Sequence, residues 1–137
     1  MNIAEKLLKA DVKKAEELET GVFESARLAK ILGETEKVPV KIREIKSRRL
    51  NDLAMYQVDR KGKIDFSKTY DAKINVCMEG VVEPDLRDKE LQAHFNCKSG
   101  RELCEKLFES EVATLSDAIS ELSGITDEED VEEEVKN

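Results

Sequence analysis

Apolar positions follow a helical rhythm over most of this chain. From Ile3 to Leu18, Ala4, Leu8, Val12 and Ala15 recur at helical spacing, with Ile3, Leu7 and Leu18 on an adjoining stripe, and Thr20-Gly21 closes the segment. Its apolar side chains are modest and its charges mixed, so the spacing predicts a helix that needs a partner surface. Val22–Leu32 admits two readings: a short strand at its start, or a helix that places Phe23, Leu28 and Ile31 inward. Gly33 stops either. Val38, Val40 and Ile42 then alternate with polar residues in a run reaching Ile45, the period of a half-buried strand, and Pro39 near its start points to a sheet edge. A strand needs a neighbour, and the Phe23 region is the nearest, so a β-hairpin is expected at about 22–45.

Helical spacing resumes downstream. Ser47 reads as the N-cap of a helix from Arg48 to about Val58, with Leu50, Leu53, Ala54 and Gln57 on one face. Arg60–Lys63 is an exposed turn, and Asp65 or Ser67 opens the next helix. There Phe66, Tyr70, Ile74, Cys77 and Val81 form the inward face, which runs directly into a corner. Glu79-Gly80 breaks the period, and Pro84 removes a backbone donor and biases Glu83 away from helix. After a turn at Asp85–Asp88, a short helix carries Leu91 and Phe95. Ser99 caps another with Leu103, Cys104, Leu107 and Phe108 inward. Ser110 caps the last, in which Val112, Leu115, Ile119 and Leu122 share a face, and Gly124 ends it.

Composition sharpens this outline. With 137 residues the chain is of single-domain size and can bury roughly 68% of its unfolded surface. Hydrophobic and charged residues each make up 39%, so the core must be lean; six glycines and two prolines favour helices over a many-stranded β fold. The expected class is mainly α within α+β: a small domain of about five to six helices with a short N-terminal β-hairpin. The net charge of −8 is uneven. Seven acids and one lysine between Asp127 and Asn137 give −6, which leaves −2 for the other 126 residues. The chain thus divides into an N-terminal arm (1–20), a helical core (21–124) and an acidic tail (125–137). Such a tail is expected to be solvated and disordered, or to keep a partner complex soluble and compete for a basic surface. No run approaches the ~20 apolar residues of a membrane span. The N-terminus lacks a signal peptide's apolar core, and three cysteines without a framework fit a reducing cytoplasm.

Candidate chemistry is sparse. His94, Cys97, Cys104 and Cys77 have the composition of a Cys₃His zinc site, but no C-x-x-C knuckle is present, and Cys77 and Cys104 sit on apolar faces. Core packing is favoured over metal, and no cofactor is expected. No nucleophile, phosphate-loop or metalloprotease motif occurs, so no catalytic residue is assigned. Lys37, Lys41, Arg43, Lys46, Arg48 and Arg49 form a basic cluster, and Arg60, Lys61 and Lys63 another. A small DNA-binding regulator using the 37–49 cluster is the alternative reading, disfavoured by scarce aromatics and the anionic tail. Solvated faces docking an acidic partner, or the chain's own tail, fit better.

The order of motifs carries more than any one of them. EGVVEPDLRDKEL, then SGRELCEKLF, then SEVATLSDAISELSG resembles the XkdN-like tail assembly chaperones of contractile-tailed phages and prophages. The pattern is an apolar helix into a G-V-x-x-P corner, a short helix, a helix containing E-L, and a closing helix ending in L-S-G. Gly80, Val81 and Pro84, then Glu102 and Leu103, then Leu122, Ser123 and Gly124 supply it here. Arg27-Leu28 with the Val38–Ile45 strand is similar to the family's opening hairpin, and Glu133–Asn137 to its ending. The resemblance runs from about Phe23 to the C-terminus, most strongly from Ile74 to Gly124. The family often has a glycine before the acid that opens the last helix, where this chain has Ser110-Glu111.

The resemblance implies a non-enzymatic morphogenesis factor that looks after the long helical tape measure protein before the tail tube polymerises around it. It further implies contact with the tail tube protein or a second copy of itself, a place in the host cytoplasm and absence from the mature virion. In the wider group a programmed frameshift often makes an extended form. Ile3, Leu7, Leu8 and Val12 are the candidate client-facing or self-association residues; Gly80, Val81, Pro84, Leu103, Leu122 and Gly124 are read as geometry.

Overall fold

Strand β1 (Thr20–Ser25) and strand β2 (Val38–Arg43) pair antiparallel, from Thr20 opposite Arg43 to Ser25 opposite Val38. The computed structural model describes residues 1–125, and the acidic run from Asp127 lies outside the described residues. Between the strands stands helix α2 (Ala26–Leu32), so both readings of 22–32 hold, one after the other. The switch occurs at Ser25, whose hydroxyl accepts the Leu28 N–H at 3.0 Å and caps the helix. The expected hairpin is therefore an antiparallel pair whose connection contains a helix.

A third strand, β3 (Val81–Glu83), occupies the corner and pairs antiparallel with β2, giving the order β1-β2-β3. This corrects the edge position expected for β2, which is central. Pro39 is tolerated there because of register. Glu44 donates its N–H to Glu19 O at 2.7 Å, so alternate residues back to Val38 face β1, while Pro39 points its missing donor the other way. On that side β3 pairs only at Lys41 and Ile42.

Helix α3 spans Ser47–Met55, and Ser47 is its first residue rather than its cap. It ends before Val58 because the chain turns back on itself. Val58 bridges Ile64, and the Asp59 carboxylate accepts the N–H groups of Lys61 and Lys63 at 2.8 and 3.0 Å. Helix α4 (Thr69–Gly80) follows a 3₁₀ turn at Phe66–Lys68 capped by Asp65. That turn breaks the expected face: Phe66 and Tyr70 are exposed, and burial begins at Ala72 and Ile74. From there α4 is buried on more than one side, because it packs against α3 and two later helices.

Helix α6 (Gly100–Phe108) is capped by Ser99, as expected, and helix α5 (Lys89–His94) by Asp88, the last residue of the expected turn. Helix α7 (Val112–Leu122) begins after a 3₁₀ turn at Glu109–Glu111, so Ser110 caps nothing. The core lies where α4, α6 and α7 meet the inner face of the sheet. Phe108, Leu103, Leu115, Ile119, Val112, Val40, Cys77 and Cys104 are fully enclosed there. Helix α1 (Ile3–Leu8) and a 3₁₀ turn at Val12–Ala15 contain no buried residue. The long N-terminal helix expected over Ile3–Leu18 is thus divided: Asp11 accepts the Lys13 N–H at 3.0 Å and starts the second piece. Without a partner surface, little tertiary packing acts to hold one continuous helix.

Candidate functional site

The arm is fastened to the domain at its base. Glu19 donates its N–H to the Glu44 carboxylate at 2.6 Å, and Leu18 is the first half-buried residue. Outward from there, Ile3, Leu7, Leu8 and Val12 are 75%, 67%, 87% and 79% exposed. Four large aliphatic side chains in one ten-residue stretch, all uncovered, constitute an apolar surface without a partner in the described chain. Ile3 and Leu7 are one helical turn apart on α1, whereas Val12 stands on the separate 3₁₀ turn.

A second apolar surface lies across the domain. A groove of about 250 Å³ opens between α2 and α5, beside the part of β2 that β3 does not cover. Leu28 and Leu107 are its most buried residues; Ile31, Phe95, Pro39 and Pro84 line it further out, and Glu83 is its one charged residue. No local signal marks this groove in the sequence, since its residues come from five elements.

The motif residues converge on the join between α4, the sheet and α7. Gly80 ends α4 directly over Ile119: a Cβ placed there would lie 2.5, 2.7 and 2.9 Å from Ile119 Cγ2, Cδ1 and Cγ1. Val81 and Leu103 are buried, Leu122 packs on the core near Gly21, and Pro84 is half-buried at the groove. Gly124 follows α7 with φ +95°, a left-handed conformation that strains other residues. Between Leu122 and Gly124, the Ser123 hydroxyl accepts the Ile45 N–H at 2.8 Å and donates to Ile119 O at 2.7 Å. The L-S-G ending therefore staples α7 to the chain just beyond β2.

Glu111 has a role that its own neighbourhood in the sequence does not suggest. Its carboxylate accepts the Ser25 hydroxyl at 2.6 Å and the N–H groups of Ala26 and Arg27 at 3.0 and 3.3 Å. The acid that opens the last helical region thus closes the start of α2, some 85 residues earlier.

The polar candidates separate. His94 is exposed and meets the edge of Phe95, while Cys77 and Cys104 are buried. Contact with Cys104 and burial both push the Cys77 thiol well above the usual cysteine range. Among the described residues no group of three or more His, Cys, Asp or Glu is placed to hold a metal ion. One thiol per chain, Cys97, is expected to react with an aromatic disulfide reagent in native buffer, and all three after denaturation. Rapid reaction of two or three in the folded protein would contradict this placement.

In the basic cluster, Arg49 reaches the Glu79 carboxylate at 2.7 Å and Lys41 that of Glu83 at 3.5 Å. Arg43 donates to Glu79 O at 3.2 Å. Acids at the corner thus partly neutralise the surface that the DNA-binding alternative requires. Among the described residues no helix is long and apolar enough to cross a membrane.

The fold occurs elsewhere. The crystal structure of the protein YqbN matches with a TM-score of 0.54 at 17% identity, over 80% of this chain and 90% of that one. No curated protein sequence matches. A family model described as the phage XkdN-like tail assembly chaperone protein matches residues 4–136. It extends upstream of Phe23, into the arm, and so covers the corner and, of the exposed stripe, Leu7, Leu8 and Val12. With the corner, the staple and the arm from residue 4 onward inside one match, this chain belongs to the XkdN-like family of phage tail assembly chaperones.

Proposed function

We propose that the chain acts without catalysis, binding the tape measure protein and keeping it soluble in the host cytoplasm until the tail tube polymerises around it. The observation that carries this reading is the uncovered apolar arm on a domain that otherwise encloses its core. A long helical client exposes apolar stripes, and an amphipathic segment held out from a charged body can cover such a stripe while the body stays hydrated. Ile3, Leu7, Leu8 and Val12 make that contact, and the groove beside Pro39 and Pro84 offers a second apolar surface. The tail tube protein or a second copy are further partners of the same surfaces. A factor of this kind is absent from the finished virion.

Co-expression tests the reading. The tape measure protein is expected in the soluble fraction, bound to this chain, only when both are made together. Replacing Ile3, Leu7 and Leu8 by serine is expected to change stability by less than about 0.5 kcal/mol, because none is buried, yet to send the client to the pellet. Unchanged client recovery after the triple replacement would remove the arm from the mechanism. An insoluble client even with the wild-type chain would remove the mechanism itself.

A further inference from the structure

We infer that the acidic segment Asp127–Glu134 docks on the basic face formed by Arg43, Lys46, Arg48 and Arg49 of the same chain. The first observation is where that segment is rooted. Ser123 is bonded to the backbone of Ile45 at 2.8 Å, immediately before Lys46. The four residues from Ser123 to Asp127 span at most about 14 Å, so the first acids begin within reach of Lys46.

Charge is the second observation. Lys41, Arg43, Lys46, Arg48 and Arg49 stand against Glu44 in the same stretch and against the facing Glu79 and Glu83, which leaves a net +2. Lys46 and Arg48 are exposed and form no ion pair among the described residues. The segment Asp127–Glu134 holds seven acids in eight residues, interrupted only by Val131. The face is also concave: a depression of about 190 Å³ is lined by Arg43, Lys46 and Arg49 against Glu44 and Glu79, with Leu18 and Ile45. Single exposed ion pairs are weak, but covalent attachment supplies an effective concentration on the order of millimolar. The tail then acts as an internal polyanion. Another acidic partner, or nucleic acid, reaches the face only by displacing it.

Zero-length carbodiimide coupling of the full chain tests this. Unlabelled and ¹⁵N-labelled protein are mixed in equal amounts, coupled in dilute and in about 1 M salt, and mapped by peptide mass. Tail acids are expected to join mainly to Lys46, within one chain, with a yield falling roughly fivefold in high salt. Arg48→Glu is expected to lower that yield about threefold without altering the melting temperature. The Lys41–Glu83 pair, 3.5 Å apart, serves as the positive control. Tail products spread evenly over Lys6, Lys61 and Lys89 would overturn the inference. So would Lys46 products joining two chains, a yield indifferent to salt, or no Lys46 product while the control couples.

Discussion

Gly80→Ala is expected to destabilise the protein by about 2 kcal/mol, although alanine is the better helix former. At the end of α4 the substitution gains as much as about 1 kcal/mol in intrinsic helix propensity. Against that stands the added methyl group, at 2.5–2.9 Å from three carbons of Ile119. Ile119 is fully enclosed and cannot swing into solvent, so the methyl must force α4 and α7 apart or drive Ile119 off its rotamer. Overpacking of this kind costs about 1–3 kcal/mol and occasionally more. Urea denaturation should show the loss with an unchanged slope. Ile119→Ala alone removes the obstruction at its own cost of about 2–5 kcal/mol. The double variant is expected to be at least about 1 kcal/mol more stable than the sum of the two predicts. A stabilised Gly80→Ala protein, or strictly additive variants, would mean that the two helices do not touch here.

Glu111→Ala is expected to cost about 2 kcal/mol as well, through hydrogen bonds rather than packing. One carboxylate serves the Ser25 hydroxyl and two backbone donors at the start of α2, and Ser25 is completely buried. Hydrogen bonds to a charged group are worth about 1.5–3 kcal/mol, and a stranded buried donor adds its own penalty. Partial exposure of Glu111 to water holds the total down. Glu111→Gln retains an acceptor and should lose roughly half as much. Hydrogen exchange provides the local readout. The amides of Ala26 and Arg27 should lose protection well before those of Val40 or Leu115. If Val40 and Leu115 open equally early, the clasp is part of the global core rather than a local closure.

These two residues also show where the sequence is readable. The period of Val112, Leu115 and Ile119 is enough to place α7, because one strongly apolar face meets one packed layer. Alternation at Val38, Val40 and Ile42 is likewise enough for β2. The same reasoning fails at Phe66 and Tyr70, where spacing suits a helix but a 3₁₀ turn rotates the first two residues into solvent. It fails again at Val81–Glu83, three residues too few to show a period, whose strand character comes from pairing with β2. Ser110 resembles a cap and Glu111 does not, since the helix that Glu111 serves lies in another part of the chain. Gly80 is legible as a break but not as a contact. The exposed arm is legible as a modest amphipathic stripe, while the groove, assembled from five elements, leaves no trace in any one of them.

The Ser123 staple also sets an order of events during synthesis. β1 and β2 leave the ribosome early, but β3 emerges some forty residues later, and the last enclosing side chains belong to α7. Contacts this distant in sequence form late and slowly. A nascent chain that ends before Leu115 therefore displays the inner face of its sheet, and one that has passed Gly124 has every described core contact available. A translation product that departs from this sequence only after Gly124 keeps the whole domain, whereas one that departs a few codons earlier loses Ser123 and the fastening of Ile45. A change to the chain beyond the staple thus leaves intact the domain that the staple fastens.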